Sequence, residues 1–208
     1  MAKFACRCGA VQGTVAEASP QAVNRVICYC DDCQAFAHHL GRPDLLDEHG
    51  GTDIIQVAPA MISFDAGREY IAGIRLSPNG LHRWYARCCN TPMGNTVGPS
   101  IPLVGTVAQV FHTNGQVADR LFGRPAGAIM AQYAIGAPEG ASRRIGSRLM
   151  LSSIAKVIGW RLKGKAWPNP FFDRATKRPH YRVTVVPETE RQRLRAFCGP
   201  TPRSFPRT

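Results

Sequence analysis

The chain has no long apolar run. No stretch approaches the ~20 consecutive apolar residues of a membrane-spanning helix. The opening MAKFACRCGAVQGTV has neither the apolar core nor the small-residue cleavage pattern of a secretory leader. A cytoplasmic location is expected, where thiols stay reduced and cysteine clusters read as metal ligands instead of disulfides. Acidic residues are scarce in the last third. Residues 141–208 hold 16 Lys/Arg against 3 Asp/Glu, a net of +13, whereas residues 1–140 hold 10 against 11, a net of −1. The formal charge of +12 therefore comes from one end of the chain and suggests a boundary near residue 140. Internal repeats and low-complexity tracts are missing, and so is any recognised nucleic-acid motif. The Gly50-Gly51 pair lacks the strand–loop–helix context of a phosphate site and reads as a turn.

What the sequence does have is turn formers, 20 Gly and 16 Pro, around an apolar content of 44%, which favours short strands over a helical bundle. KFACRC and VQGTVAE flank Gly9 as neighbouring strands, and AVNRVICY is a third that delivers its end into CYCDDC at 28–33. QAFAHHLG is expected to be a short helix closed by Gly41, and PDLLDEHGG a helical turn ending in glycines. Strands resume with IIQV, MISFD, EYIAGIRL and LHRWYA, joined by AGRE and SPNG, which carry the residues of tight turns. The expectation is a mainly β, mostly antiparallel domain over residues 1–100, followed by a connecting segment over 101–140 and a basic, α-helical C-terminal extension over 141–208. IPLVGTVAQVF is open between strand and helix, and AGAIMAQYAIG reads as a helix. In the extension, SRRIGSRLMLSSIAKVIGW is a basic amphipathic helix with Ile145, Leu149, Ile154, Val157 and Ile158 on one face. A Pro-broken loop, a late strand at YRVTVV and a last helix at ETERQRLRAF complete it.

Seven of the eight cysteines fall into three clusters: Cys6 with Cys8, Cys28 with Cys30 and Cys33, and the adjacent Cys88 and Cys89; Cys198 stands alone. Such spacings let several thiolates from one turn reach a single zinc ion at about 2.3 Å, and binding deprotonates them. One or two zinc ions are expected. Cys33 is placed at the start of the QAFAHHL helix, whose backbone N–H groups favour its anion. Asp31 and Asp32 read as helix caps, because two further anions would repel three thiolates. Three ligands leave a fourth position. It is either open, as in a catalytic zinc site, or filled by His38, His39, Cys88 or Cys198, as in a closed structural one.

The order CxC, CxCxxC and a cysteine pair after an aromatic strand is carried by CRCGAV at 6–11, CYCDDC at 28–33 and RWYARCCNTPM at 83–93. It resembles the glutathione-dependent formaldehyde-activating enzyme family, which also includes the centromere protein V domain. The resemblance covers roughly residues 3–100. It implies a β-tent, a pair of small zinc-bound antiparallel sheets. It also implies a structural zinc held by Cys6, Cys8 and the later pair, and a catalytic zinc on Cys28, Cys30 and Cys33 with its fourth position open. The implied activity is that of a carbon–sulfur lyase that joins or splits the adduct of glutathione and formaldehyde. The later pair departs from the family's FCxxCG pattern. Ala86 stands where the first cysteine should be, Cys89 matches the second, and Asn90 replaces the glycine. Adjacent residues on a strand point to opposite faces. Either the backbone turns at Asn90-Thr91-Pro92 and brings Cys88 in with Cys89, or the structural site has only three cysteines.

Two functions follow as expectations. One is a zinc-dependent lyase acting on glutathione, or another thiol, and a small aldehyde; the substrate carboxylates would need cationic partners, and Arg25, Arg83 and Arg87 are nearest in sequence. The other is a non-catalytic, zinc-stabilised module whose extension contacts nucleic acid or another polyanion. Trp160, Trp167, Phe171 and Phe172 can stack on bases or anchor the extension, and anchoring is favoured because an apolar helix stripe usually finds core. HRWY at 82–85 reads as core and surface alternation, His38 and His39 as exposed polar positions, and Cys198 as an unpaired, partly buried thiol.

Overall fold

The structure, a computed structural model, describes residues 1–111, 115–138 and 146–200. Its strands are β1 (Ala2–Ala5), β2 (Gln12–Val15), β3 (Asn24–Cys28), β4 (Thr52–Val57), β5 (Ile62–Ala66), β6 (Ile71–Arg75), β7 (His82–Ala86), β8 (Thr91–Thr96), β9 (Val104–Val107), β10 (Ala128–Ile129) and β11 (Val183–Val185). Its α-helices are α1 (Asp31–His39), α2 (Gly115–Phe122), α3 (Ser147–Leu162) and α4 (Glu188–Arg195). The protein is therefore mainly β. A small antiparallel sheet has the order β1-β2-β5, and a large one the order β10-β3-β4-β9-β8-β7-β6-β11. The large sheet is antiparallel except at its two edges, where the late strands β10 and β11 join β3 and β6 in parallel. No helix among the described residues is long and apolar enough to cross a membrane.

A chain of aromatic rings joins the two sheets. Phe4 of β1 packs edge-on against Phe64 at 5.7 Å and Phe111 at 6.0 Å; Phe64 meets Phe171 at 5.7 Å; Phe171 stacks on Trp84 of β7 at 5.1 Å. The Trp84 indole N–H donates to Thr96 Oγ1 at 3.0 Å, so this large ring is buried with its one polar atom satisfied. Close approach is built into β2: a Cβ on Gly13 would lie 2.2 Å from the Phe4 ring and 2.3 Å from the Ser63 carbonyl oxygen.

The last third is anchored by its aromatics. Trp160, Phe171 and Phe172 are buried in the same core as Phe4 and Trp84, and Trp167 is half-buried beneath the Lys177 ammonium. Several basic groups also reach back. Arg161 donates to the Ser100 carbonyl at 3.1 Å, Lys165 pairs with Glu17 at 2.6 Å, and Lys156 donates to the carbonyls of Pro20 and Val23.

Two expectations need correction, and one left open is settled. AGAIMAQYAIG is not a helix: it forms β10 and a 3₁₀ turn at Ala131–Tyr133, with Met130 at φ +58° between them. Pairing of Ala128 and Ile129 with β3 overrides the alanine-rich helix propensity. The helix of the connecting segment is α2 instead, with Ala118 and Phe122 buried one turn apart. The stripe on α3 faces the protein only in part. Leu149 and Val157 are half-buried and Trp160 is buried, but Ile154 and Ile158 are about half exposed, and Ile145 lies outside the described residues. IPLVGTVAQVF resolves into both readings, strand β9 followed by a 3₁₀ turn at Ala108–Phe111.

Because Phe171 joins the ring chain while Ile158 faces outward, Phe171→Ala is expected to cost about 3–5 kcal/mol. Ile158→Ala should cost less than ~0.5 kcal/mol. Urea unfolding midpoints measure both, and equal losses would contradict the packing described.

Candidate metal centres

The first centre is assembled from two turns. After β1 the chain folds back through Arg7–Gly9, with Gly9 at φ +77° and its N–H on the Cys6 carbonyl at 2.9 Å. That turn presents Cys6 and Cys8 side by side, their sulfurs 3.5 Å apart, and the Val11 N–H points at Cys6 Sγ from 3.3 Å. The other half is the β7–β8 hairpin. Asn90 takes φ +53°, a left-handed conformation that Asn tolerates better than most residues. The strand therefore ends before Cys88, and strand alternation no longer applies there. Cys88 Sγ lies 3.8 Å from Cys6 and 3.4 Å from Cys8, and 3.9 Å from Cys89. All four sulfurs lie within 4.8 Å of one another. Of the two alternatives raised by the sequence, the four-cysteine arrangement is the one found. Ala86, at the missing ligand position, is buried in the core.

Thr91 ties the halves together. Its hydroxyl oxygen accepts the Arg7 backbone N–H at 3.0 Å, sits 3.1 Å from Cys89 Sγ, and receives Arg42 Nη1 at 3.4 Å. Burial opposes ionisation of Cys89, but the hydrogen bonds to Thr91, to the Cys8 backbone and to the neighbouring thiols prevail and bring it down to about 6.

The second centre is local. Strand β3 ends at Cys28, and the Tyr29 N–H is held by the Ile129 carbonyl of β10 at 3.1 Å. Cys30 is the N-cap of α1, its sulfur accepting the Cys33 N–H at 3.3 Å. Asp31 and Asp32 thus occupy the first turn instead of capping it, because the thiol takes the capping role; Asp31 pairs with Arg195 of α4, and Asp32 with Arg83 at 3.4 Å. Cys28, Cys30 and Cys33 form one group, with Cys28 and Cys33 sulfurs 3.8 Å apart, and no fourth His, Cys, Asp or Glu atom joins them among the described residues. His38 stacks on Phe197 at 4.9 Å, His39 faces Glu190 of α4, and Cys88 belongs to the other centre. Cys198 Sγ lies 3.4 Å from the Asp31 and Leu194 carbonyls, outside both groups.

Sequence alone does not set Arg83 apart from Arg25 and Arg87. Arg83 is 1% exposed, with Nη1 3.8 Å from Cys33 Sγ and 3.5 Å from Asn95 Oδ1, and its guanidinium lies over the Phe36 ring. HRWY is accordingly not a core–surface alternation: Arg83 and Trp84 are both buried, because α1 covers one face of β7 and the Phe171 loop the other. Burial opposes the Arg83 charge, but the nearby Cys33, Cys30 and Asp32 keep the guanidinium ionised. Hydrogen bonds with Cys28 and Cys30, aided by Arg83, hold the Cys33 thiol well below its ordinary value in spite of burial. Arg25 is instead committed to Asp53 and Asp119, and Arg87 lies over Tyr70. Beside the three thiols opens a cleft of about 140 Å³, walled by apolar side chains with the Gln56 and Asn95 amides among them.

Both groups can hold a metal ion. Tetrahedral bonds of about 2.3 Å from zinc to sulfur place neighbouring sulfurs about 3.8 Å apart. Four of the six sulfur pairs in the quartet lie 3.4–3.9 Å apart, and Cys28 and Cys33 lie 3.8 Å apart, close to that donor geometry, with every pair in each group within 4.8 Å.

The profile of DUF6151, a family of unknown function, matches residues 1–180, so the chain belongs to that family. No curated protein matches the chain. A solved Rhodobacter sphaeroides protein is similar at 16% identity with a TM-score of 0.40, covering 55% of this chain and 93% of its own.

The turn at Asn90 makes the quartet testable apart from the triad. Asn90→Val, β-branched at a positive φ, is expected to lower bound metal by about one ion per chain, with Asn90→Gly keeping the full content. Metal content by atomic emission decides; full retention in the valine variant would contradict the role of this turn.

Proposed function

For this member of DUF6151 we propose a zinc-dependent, thiol-handling enzyme of the carbon–sulfur lyase type. The quartet Cys6, Cys8, Cys88 and Cys89 serves as a closed structural site within a β-tent, and Cys28, Cys30 and Cys33 as the working site. The observation that carries the reading is the contrast between them: four convergent thiols in one group, three beside an open cleft in the other. Structural zinc takes four protein ligands, whereas catalytic zinc keeps one position for water or substrate. When bound, zinc supplies affinity for a substrate thiolate and Lewis acidity.

The remaining roles fall to residues of the chain. Three thiolates and a divalent ion sum to about −1. Arg83, buried against Cys33, offsets that charge from behind, so a further anionic sulfur meets less repulsion. The α1 N-terminus adds backbone N–H groups directed at the Cys30 and Cys33 end. The apolar wall offers water few partners, and the Asn95 and Gln56 amides are the polar side chains of the cleft besides the thiols. In the joining direction a carbon–sulfur bond forms between the thiol sulfur and the aldehyde carbon, and the thiol proton ends on the former carbonyl oxygen. The lyase direction is the reverse, and no oxidant or reductant enters either way.

Cobalt in place of zinc tests the open position. Ethanethiol is expected to change the thiolate charge-transfer and ligand-field bands, and Cys28→Ser to abolish that response while the quartet's bands persist. Conversion of ethanethiol and formaldehyde to their hemithioacetal must also run faster with protein than the rapid background reaction. An unresponsive spectrum would reject the open site, and a responsive one without turnover would reject the enzyme.

A further inference from the structure

We infer that the Cys28–Cys30–Cys33 site takes a small apolar thiol, aromatic or branched aliphatic, and discriminates against glutathione; this rests on the thiol-binding reading above. The cleft that opens on the three sulfurs holds about 140 Å³. Drug-sized ligands fill roughly 300–1,000 Å³, whereas a leucine- and phenylalanine-lined cavity of ~150 Å³ in another protein takes benzene. Size alone does not exclude glutathione, whose cysteine could enter while its ends stay outside. The composition of the wall does the excluding.

Ile54 of β4 lies at the side, Ile129 of β10 pairs beside Cys28, and Leu81, Leu103 and Val97 complete the apolar surface. Gly105 of β9 contributes no side chain, and a Cβ there would meet Ile54 Cγ2 at 3.1 Å, so its absence keeps the cleft open. Among the described residues no lysine, arginine, aspartate or glutamate lines the cleft. Glutathione carries two carboxylates and an ammonium group, and groups of that kind lose hydration at such a wall without finding partners. Arg83 is sealed behind Cys33 and already shared among Cys33, Asn95 and Asp32. An apolar thiol carries no such cost. Its sulfur reaches the cysteine cluster, and its hydrocarbon body replaces water on Ile54, Ile129 and Leu103.

The test is a titration of the cobalt-substituted protein with phenylmethanethiol and with glutathione, read from the charge-transfer band. Phenylmethanethiol is expected to bind tenfold or more tightly than glutathione, the gain from burying a phenyl ring against aliphatic walls. Val97, half exposed at the cleft, can be changed without disturbing the core. Val97→Lys, which places a cation there, is expected to shrink the ratio severalfold with cobalt content unchanged. A ratio below tenfold, or an unchanged ratio in Val97→Lys, overturns the inference and leaves the thiol site standing. Silence toward both thiols overturns the thiol-binding reading itself, and the inference with it.

Discussion

Four cysteine sulfurs gathered within 4.8 Å repel one another as thiolates, and only a cation among them reverses the sign. Two unit charges 4 Å apart interact by about 4 kcal/mol at an effective dielectric constant of 20. A metal ion held there would join two turns far apart in the chain. Cys6 and Cys8 leave the small sheet after β1, and Cys88 and Cys89 sit on a hairpin of the large sheet. Thr91 and Arg42 reinforce the junction. The aromatic chain from Phe111 through Phe171 to Trp84 then fixes the same two sheets from the interior.

The triad answers the same charge problem differently. Its three thiols come from a strand end and a helix start, and in place of a fourth thiol the fold brings up a guanidinium. A buried, partly satisfied arginine is costly: its Nε finds no partner among the described residues. Such a group persists where neighbouring negative charge repays the desolvation, and the Cys33 thiolate with Asp32 provides that charge. The last third adds to this frame instead of hanging from it. β11 lengthens the large sheet, α4 packs on α1, and Phe171 sits at the meeting point of both sheets.

Most of the strands and the Cys28–Cys30–Cys33 grouping were legible, because short-range spacing and alternation carry local information, whereas the meeting of Cys6 and Cys8 with Cys88 and Cys89 was open between three and four cysteines. CxCxxC needs only one turn to converge, so Cys28, Cys30 and Cys33 could be grouped from their spacing. Cys88 beside Cys89 was ambiguous because strand alternation sends neighbours apart, and the resolving fact, the left-handed Asn90, is a backbone angle. Arg83 was visible as a residue but not as a buried one, since burial on both faces of β7 depends on elements far away in sequence, α1 and the Phe171 loop. AGAIMAQYAIG is a parallel case: its alanines favour helix, but the edge of β3 pairs Ala128 and Ile129 as a strand. The exposed Ile154 and Ile158 show that periodicity finds a stripe but not which part of it is covered.

The two centres also differ in how much chain their ligands enclose. Cys28 to Cys33 is six residues, whereas Cys6 and Cys88 are 82 positions apart. A metal bound by one turn needs little folding, and it follows the chain into the unfolded state, where residual affinity cancels much of its stabilising effect. A metal held across the two sheets has no comparable site once they separate, so its binding free energy becomes folding free energy. An ion in the quartet would therefore couple metal supply to the persistence of the whole fold, while one in the triad would exchange at nearly constant stability.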